Sequence, residues 1–259
     1  MGRVLFFAVW EDVQVFGLVE WRGAGESCAA REERIGGVRF LAVGVRRGDG
    51  RRAAWSIRRA ARVLQKRGVE QTVFPVGYAA YEPFAARGIR PMDTTALREA
   101  AAAAIALRVM RQAQIEPRRT TVALCAAQVT RAFAAAAERL AGKVRYLQLC
   151  SARGGWELSQ SLRSRFGIAA PVLRAPEGAA LVLDFDGSAE RPQSGIFLPL
   201  TSDTLRVCYR PLWTQERGEE PEQLLAALYA SLALRAEEIE VIGVEWERAS
   251  YSANIGVER

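Results

Sequence analysis

Short apolar runs alternate along this chain with longer segments in which apolar residues recur every three or four positions, the pattern of strands interleaved with helices. Val4–Trp10 and Val13–Trp21 predict two strands of a hairpin around Glu11-Asp12, with Gly23-Ala24-Gly25 ending the second. Val38–Val45 is the next strand, and a polar turn holding Gly48 and Gly50 leads into a helix over Arg51–Arg67 that Gly68 stops. Gln71–Val76 then predicts a strand and Tyr81–Arg87 a short helix ended by Gly88, while Thr94 or Thr95 caps a long helix reaching about Gln114.

The segment 120–187 is the most regular. Thr121–Cys125 and Val144–Cys150 predict strands, Gln128–Leu140 the helix between them, a second helix starts near Trp156, and Leu181–Asp184 closes the series. This order of strand, helix, strand, helix, strand is Rossmann-like. A dinucleotide site on that frame needs G-x-G-x-x-G after the first strand, because only glycine lets the backbone turn tightly against a pyrophosphate. Ala126-Ala127-Gln128-Val129-Thr130 stands there instead.

Gly195–Leu200 and Leu205–Tyr209 read as a further hairpin through Ser202-Asp203, with Pro199 pushing one strand to an edge. A helix from Pro221 to about Glu237 and a strand over Ile239–Trp246 complete the chain. The expected fold is α/β: a mainly parallel sheet with helices on both faces, a Rossmann-like central unit and antiparallel hairpins. Pro117-Arg118-Arg119 is the polar junction at which an N-terminal α/β region, 1–116, meets the Rossmann-like region, 117–259, unless the two pack as one continuous domain.

Composition narrows the chemistry. Half of the 259 residues are apolar, enough for a substantial core, and no apolar run approaches the ~20 residues of a membrane span. The apolar start runs directly into Glu11 and Asp12 without a small-residue cleavage site, so the expected location is cytoplasmic. The absence of histidine excludes Ser-His-Asp and Cys-His nucleophilic systems and every histidine-ligated metal site. Cys28, Cys125, Cys150 and Cys208 lie far apart without metal-ligand spacing and are expected to be buried thiols.

Charge is distributed unevenly. Between Arg46 and Arg67 nine cations face Asp49 alone, a local charge of +8 against +7 for the whole chain, so all other residues together come to −1. On the predicted helix, Arg52, Arg59, Arg62 and Lys66 fall on one face and Ala53, Ile57, Ala60, Ala61 and Leu64 on the other. With Arg51 and Arg58 they form a basic stripe suited to an anionic partner: a nucleic acid, an acidic protein or an anionic membrane surface.

Two other features are candidates for chemistry. In the turn after the second central strand, Ser151, Arg153, Gly154 and Gly155 would suit a phosphate-bearing cofactor, with Thr130 contributing a hydroxyl from the preceding loop. The strand end Leu181-Val-Leu-Asp184-Phe-Asp186-Gly-Ser188 resembles the first motif of haloacid dehalogenase-type phosphatases over about eight residues. The resemblance implies that Asp184 is a nucleophile, Asp186 a general acid and Mg²⁺ the cofactor. Ser188 stands where that family has threonine, and no lysine follows Lys143. Tyr78, Tyr81 and Glu82 follow a strand end and are candidates for lining a cleft. The leading expectation is a non-catalytic or catalytically degenerate binding protein using the basic helix. The alternatives are a nucleotide- or phosphate-using enzyme, NADP-type or Mg-dependent, centred on Ser151–Gly155 with Asp184 and Asp186, and an oligomeric structural protein.

Overall fold

The computed structural model describes residues 15–23, 26–211 and 221–246. Its elements run β1 (Phe16–Arg22), β2 (Arg31–Ile35), β3 (Val38–Arg46), α1 (Arg51–Lys66), β4 (Gln71–Val73), α2 (Glu82–Ala85), β5 (Arg90–Pro91), α3 (Thr95–Gln112), β6 (Thr121–Gln128), α4 (Arg131–Ala141), β7 (Tyr146–Arg153), α5 (Gly155–Phe166), β8 (Leu181–Asp184), β9 (Ile196–Pro199), β10 (Arg206–Pro211), α6 (Pro221–Ala230) and β11 (Ile239–Glu245). They form two compact units, one holding β1–β5, α1, α2 and α6 and the other holding α3–α5 and β6–β11. Pro117–Arg119 is a single 3₁₀ turn inside the second unit, between α3 and β6. Among the described residues no helix is long and apolar enough to cross a membrane.

The first unit is built on a five-stranded sheet of order β2-β3-β1-β4-β5, in which only β2 runs antiparallel to its neighbour. The expected first hairpin, over 4–21, lies largely outside the described residues. Among the described residues, β2 pairs antiparallel with β3, joined by Gly36-Gly37. Both glycines have positive φ, as the two-residue hairpin turn demands. Helix α1 buries Ala53, Ser56, Ile57, Ala60, Ala61 and Leu64, a stripe at helical spacing packed against Leu41, Val43 and Val45 of β3. The Phe74 backbone N–H donates to Gln223 Oε1 of α6 at 3.0 Å, so a distant segment of sequence returns to this sheet.

In this core Tyr78 stacks on Phe74 at 5.0 Å and meets Tyr81, Phe84 and Trp21 edge-on or tilted. Tyr78 is only 4% exposed. Burial, with a smaller push from Tyr81, raises its phenol far above the ordinary range. Tyr78 and Tyr81 are therefore packing residues of an aromatic cluster and not the lining of an open cleft, while Glu82 sits exposed at the start of α2.

The second unit carries a four-stranded parallel sheet of order β7-β6-β8-β9, with a separate antiparallel pair β10-β11. A parallel bridge between Leu149 and Val172 adds a rudimentary strand outside β7. The chain thus builds outward from β6 through β7 to Val172, then crosses back to β8 and β9, the doubly wound order of a Rossmann-like fold. The expected hairpin over 195–209 does not form: β9 continues the parallel sheet as its edge strand, and β10 pairs with β11. Pro199 is tolerated at the end of β9, where no further strand needs its missing N–H. Helix α3 fastens the β10-β11 pair through Gln112, whose side-chain amide exchanges two hydrogen bonds with the Val244 backbone at 3.0 and 3.1 Å.

Candidate functional site

The carboxyl edges of the two parallel sheets carry the polar residues of interest, and they differ in what they do with charge. In the first unit, β1 and β3 end side by side at Arg22 and Arg46. Gly48, with φ of 107°, turns the chain toward α1. Ser56 fixes this junction from inside the helix, accepting from the Arg46 N–H at 3.0 Å and donating to the Ala53 carbonyl at 2.7 Å. Arg46 and Arg47 are thereby held beside the first turn of α1.

That first turn is electrostatically unusual. Helix amino termini favour acidic side chains, because four unsatisfied N–H groups and the macrodipole make this end positive. Here the N-cap is Gly50, without a side-chain cap, no acid occupies the first turn, and Arg51 and Arg52 do. Further along, Arg58, Arg59, Arg62, Lys66 and Arg67 are all exposed. None of these cations, nor Arg46 or Arg47, forms an ion pair among the described residues. Arg22 differs, lying against Glu20 and 3.7 Å from Glu26.

Aromatic rings lie within this surface. Trp55 is 56% exposed with the Arg59 guanidinium 5.3 Å above its ring, and Arg47 lies 5.2 Å from the ring of Trp21. Two shallow cavities share Arg46 and Arg52: one of about 580 Å³ bordered by Trp21 and Arg47, the other of about 300 Å³ bordered by Trp55 and Arg59. Indole faces beside guanidinium groups can take flat or cationic chemistry on the ring while the arginines take phosphates.

In the second unit the switch point lies between β6 and β8, where open α/β sheets place ligands. A cavity of about 690 Å³ opens there, lined by Cys125, Ala126, Cys150, Ser151, Arg174 and Arg191 among others. Strand β6 extends to Gln128, past the expected Cys125, so only Val129 and Thr130 separate it from α4. Thr130 is the N-cap of α4, its hydroxyl accepting from the Phe133 N–H at 3.1 Å. The turn is a short, extended connection that has no need of glycine.

Of the candidates in the following turn, Ser151 lines the cavity; Arg153, Gly154 and Gly155 do not. Gly154 adopts φ of 80°, and a Cβ there would stand 3.1 Å from the Val129 Cβ. Gly155 is buried at the start of α5, where a Cβ would meet Val172 at 3.1 Å. These two glycines are thus required by backbone conformation and close packing. Ser151 donates its hydroxyl to the Arg153 carbonyl at 3.1 Å.

The paired aspartates bind the loops of the protein itself. Asp184 is 1% exposed and accepts from the N–H groups of Gly187 at 3.1 Å and Ala189 at 3.4 Å. Asp186 accepts from the Ala127 N–H at 2.7 Å and the Ser188 N–H at 3.1 Å. Burial, aided by the charge of Asp186, holds the Asp184 carboxyl above its usual range despite its backbone donors. For Asp186 burial pulls the same way, but hydrogen bonds from Ser188 and Ala127 outweigh it and keep the carboxyl below that range. Neither aspartate lines the cavity, and no cluster of three metal-ligating side chains occurs among the described residues.

Sequence reasoning missed the pairing of Cys125 with Cys150, which are register partners on β6 and β7 and share the cavity floor. The signal was present: each cysteine ends its predicted apolar run, and parallel strands of one βαβ unit align their ends. Cys28 is half-buried and Cys208 exposed, so the expectation of four buried thiols holds for two. Arg174 and Arg191 were not singled out either, since they lie in irregular loops without a pattern.

No family model matches this chain, and no curated protein matches it by sequence. Among solved structures it is similar to shikimate 5-dehydrogenase from Listeria monocytogenes in complex with shikimate and NAD, at 9% identity and a TM-score of 0.26, covering 68% of this chain and 69% of that one. It is similar also to a chorismate mutase/shikimate 5-dehydrogenase fusion protein from Clostridium acetobutylicum, at 6% identity, a TM-score of 0.25 and 68% coverage of each chain. Shikimate dehydrogenase 1 from Peptoclostridium difficile matches at 12% identity and a TM-score of 0.24, over 71% of this chain and 70% of that one. The chain is a mixed α/β protein with mostly parallel sheets, and likeness to solved structures at this level carries no conclusion about fold family, ligand or reaction.

Proposed function

We propose that this protein is a non-catalytic binding protein whose α1 face holds a phosphate-bearing polyanion, single-stranded nucleic acid being the partner that best fits. One observation carries the reading: the exposed cations on and before α1 have no acidic partner among the described residues, and two sit where helix electrostatics favours acids. A face maintained only for solubility gains nothing from arginines at the positive end of a helix. The exposed Trp55 beside Arg59 favours nucleic acid over an acidic protein, because bases stack on indole while phosphates meet guanidinium groups.

Fluorescence anisotropy with a labelled single-stranded oligonucleotide tests the proposal, with polyglutamate as competitor. Binding at low salt that polyglutamate displaces poorly is expected. Equal displacement by polyglutamate would redirect the reading to an acidic protein, and no binding at low salt would end it.

The second-unit crevice supports another reading, a nucleotide- or phosphate-using enzyme. Its volume of about 690 Å³ falls in the range of small-molecule sites, and Ser151 and Arg174 lie on its lining. A rise in melting temperature with nucleotides or sugar phosphates, lost in Ser151→Ala, would favour it.

A further inference from the structure

We propose that Cys125 and Cys150 form a thiol–disulfide exchange site on the floor of the second-unit crevice, oxidised reversibly to a cross-strand disulfide by a low-molecular-weight disulfide entering the cavity. The placement comes from the sheet. The two residues are register partners on adjacent parallel strands, so their side chains leave the same face. Neighbouring strands lie about 4.8 Å apart, inside the Cα separation of about 4.4–6.8 Å that a disulfide spans. Both thiols belong to one small buried cluster with Ala123, Ala179 and Val182.

Access and inequality of the two sulfurs complete the argument. Both line the cavity of about 690 Å³ while being only 3% and 8% exposed, so a reagent reaches them from the crevice and not from the open surface. The two sulfurs are unequal: interaction with Cys150, reinforced by burial, raises the Cys125 thiol, while interaction with Cys125 lowers the Cys150 thiol against the opposing effect of burial. Cys150 is thus the attacking group and Cys125 the resolving one.

In the first step the Cys150 thiolate attacks one sulfur of the small disulfide. A mixed disulfide forms, the small S–S bond breaks, and the released thiolate takes up a proton. Cys125 then loses its proton, attacks the Cys150 sulfur and expels the second small thiol. Overall, two protein thiols are oxidised by two electrons and one small disulfide is reduced to two thiols. An excess of small thiol reverses both steps.

The test uses the full chain, folded, in glutathione buffers of graded ratio, with acid quenching, alkylation and peptide mapping. A peptide pair linked through Cys125 and Cys150 is expected, both thiols disappearing in one transition. In Cys125→Ser, Cys150 should accumulate as a stable glutathione mixed disulfide; in Cys150→Ser, Cys125 should react at least tenfold more slowly than Cys150 does. Circular dichroism confirms that each variant is folded, and the wild-type map stands without them. The proposal is overturned if both thiols of the folded wild-type protein remain alkylatable at every ratio, or if the link appears only after denaturation.

Discussion

The two sheet edges differ in whether carboxylates of the chain itself meet their donors. At the β1/β3 edge of the first unit the strand ends and the start of α1 present Arg46, Arg47, Arg51 and Arg52, none of them in an ion pair among the described residues. At the β6/β8 edge of the second unit the carboxylate of Asp186 occupies the Ala127 N–H, and Asp184 satisfies the next loop. The second edge supplies its own anion. At the first, no acid occupies the opening turn of α1 and no side chain caps it. Rossmann-like geometry alone therefore does not identify a binding edge; what decides is whether the turn's donors are already satisfied from within.

The largest expected effect separates the two edges directly. Replacing Arg52, Arg59 and Arg62 together by alanine should lower oligonucleotide affinity on the order of 100-fold at low salt, while moving stability by no more than about 0.5 kcal/mol per exposed site. Anisotropy and urea unfolding read the two quantities, and unchanged affinity would erase the contrast. Next, Asp184→Ala leaves the Gly187 and Ala189 N–H groups without their acceptor and should destabilise the protein by about 2 kcal/mol. Oligonucleotide binding should persist, because these bonds lie in the second unit.

A smaller effect is expected from Gly154→Ala, which puts a Cβ at φ of 80° and 3.1 Å from Val129. A loss of about 1 kcal/mol or somewhat more should appear as a lower urea midpoint. Smallest is the pH dependence. Asp186 is held below its unfolded value near 3.8, so its contribution is present above that pH and disappears as pH falls through the lower folded value. Asp184 is held above 3.8, so its contribution is present at lower pH and is lost as pH rises through its folded value. Asp186→Asn should therefore reduce the acid loss of stability, and Asp184→Asn should remove the opposite trend just above it. Urea midpoints across that interval that coincide for wild type and both variants would contradict the assignment.

Local patterns were legible in the sequence where packing repeats with the chain's own period. The buried stripe of α1 coincides with the apolar positions read from spacing, and the strand–helix order of 120–187 stands in the structure. What stayed hidden depended on partners far along the chain. The strands at 196–199 and 206–211 resemble a hairpin locally, yet β10 finds its partner in β11 at 239–245. The length of β6 was hidden too, since Ala126 and Ala127 fit a strand or a helix equally well. At the crevice, Asp184 and Asp186 were visible as a motif, but their role came from two backbone N–H groups each, which no side-chain pattern encodes. Gly36-Gly37, by contrast, is a two-residue hairpin signal legible in the sequence between β2 and β3.

The central claim, that the α1 edge holds a polyanion, is tested most directly by the salt dependence of oligonucleotide affinity. For single strands the slope of log affinity against log salt is about −0.7 per phosphate neutralised. A steep slope for the wild-type protein that flattens by about 2 in the Arg52, Arg59 and Arg62 triple variant is the predicted result. Identical slopes for the two proteins would place the bound strand elsewhere and contradict the account.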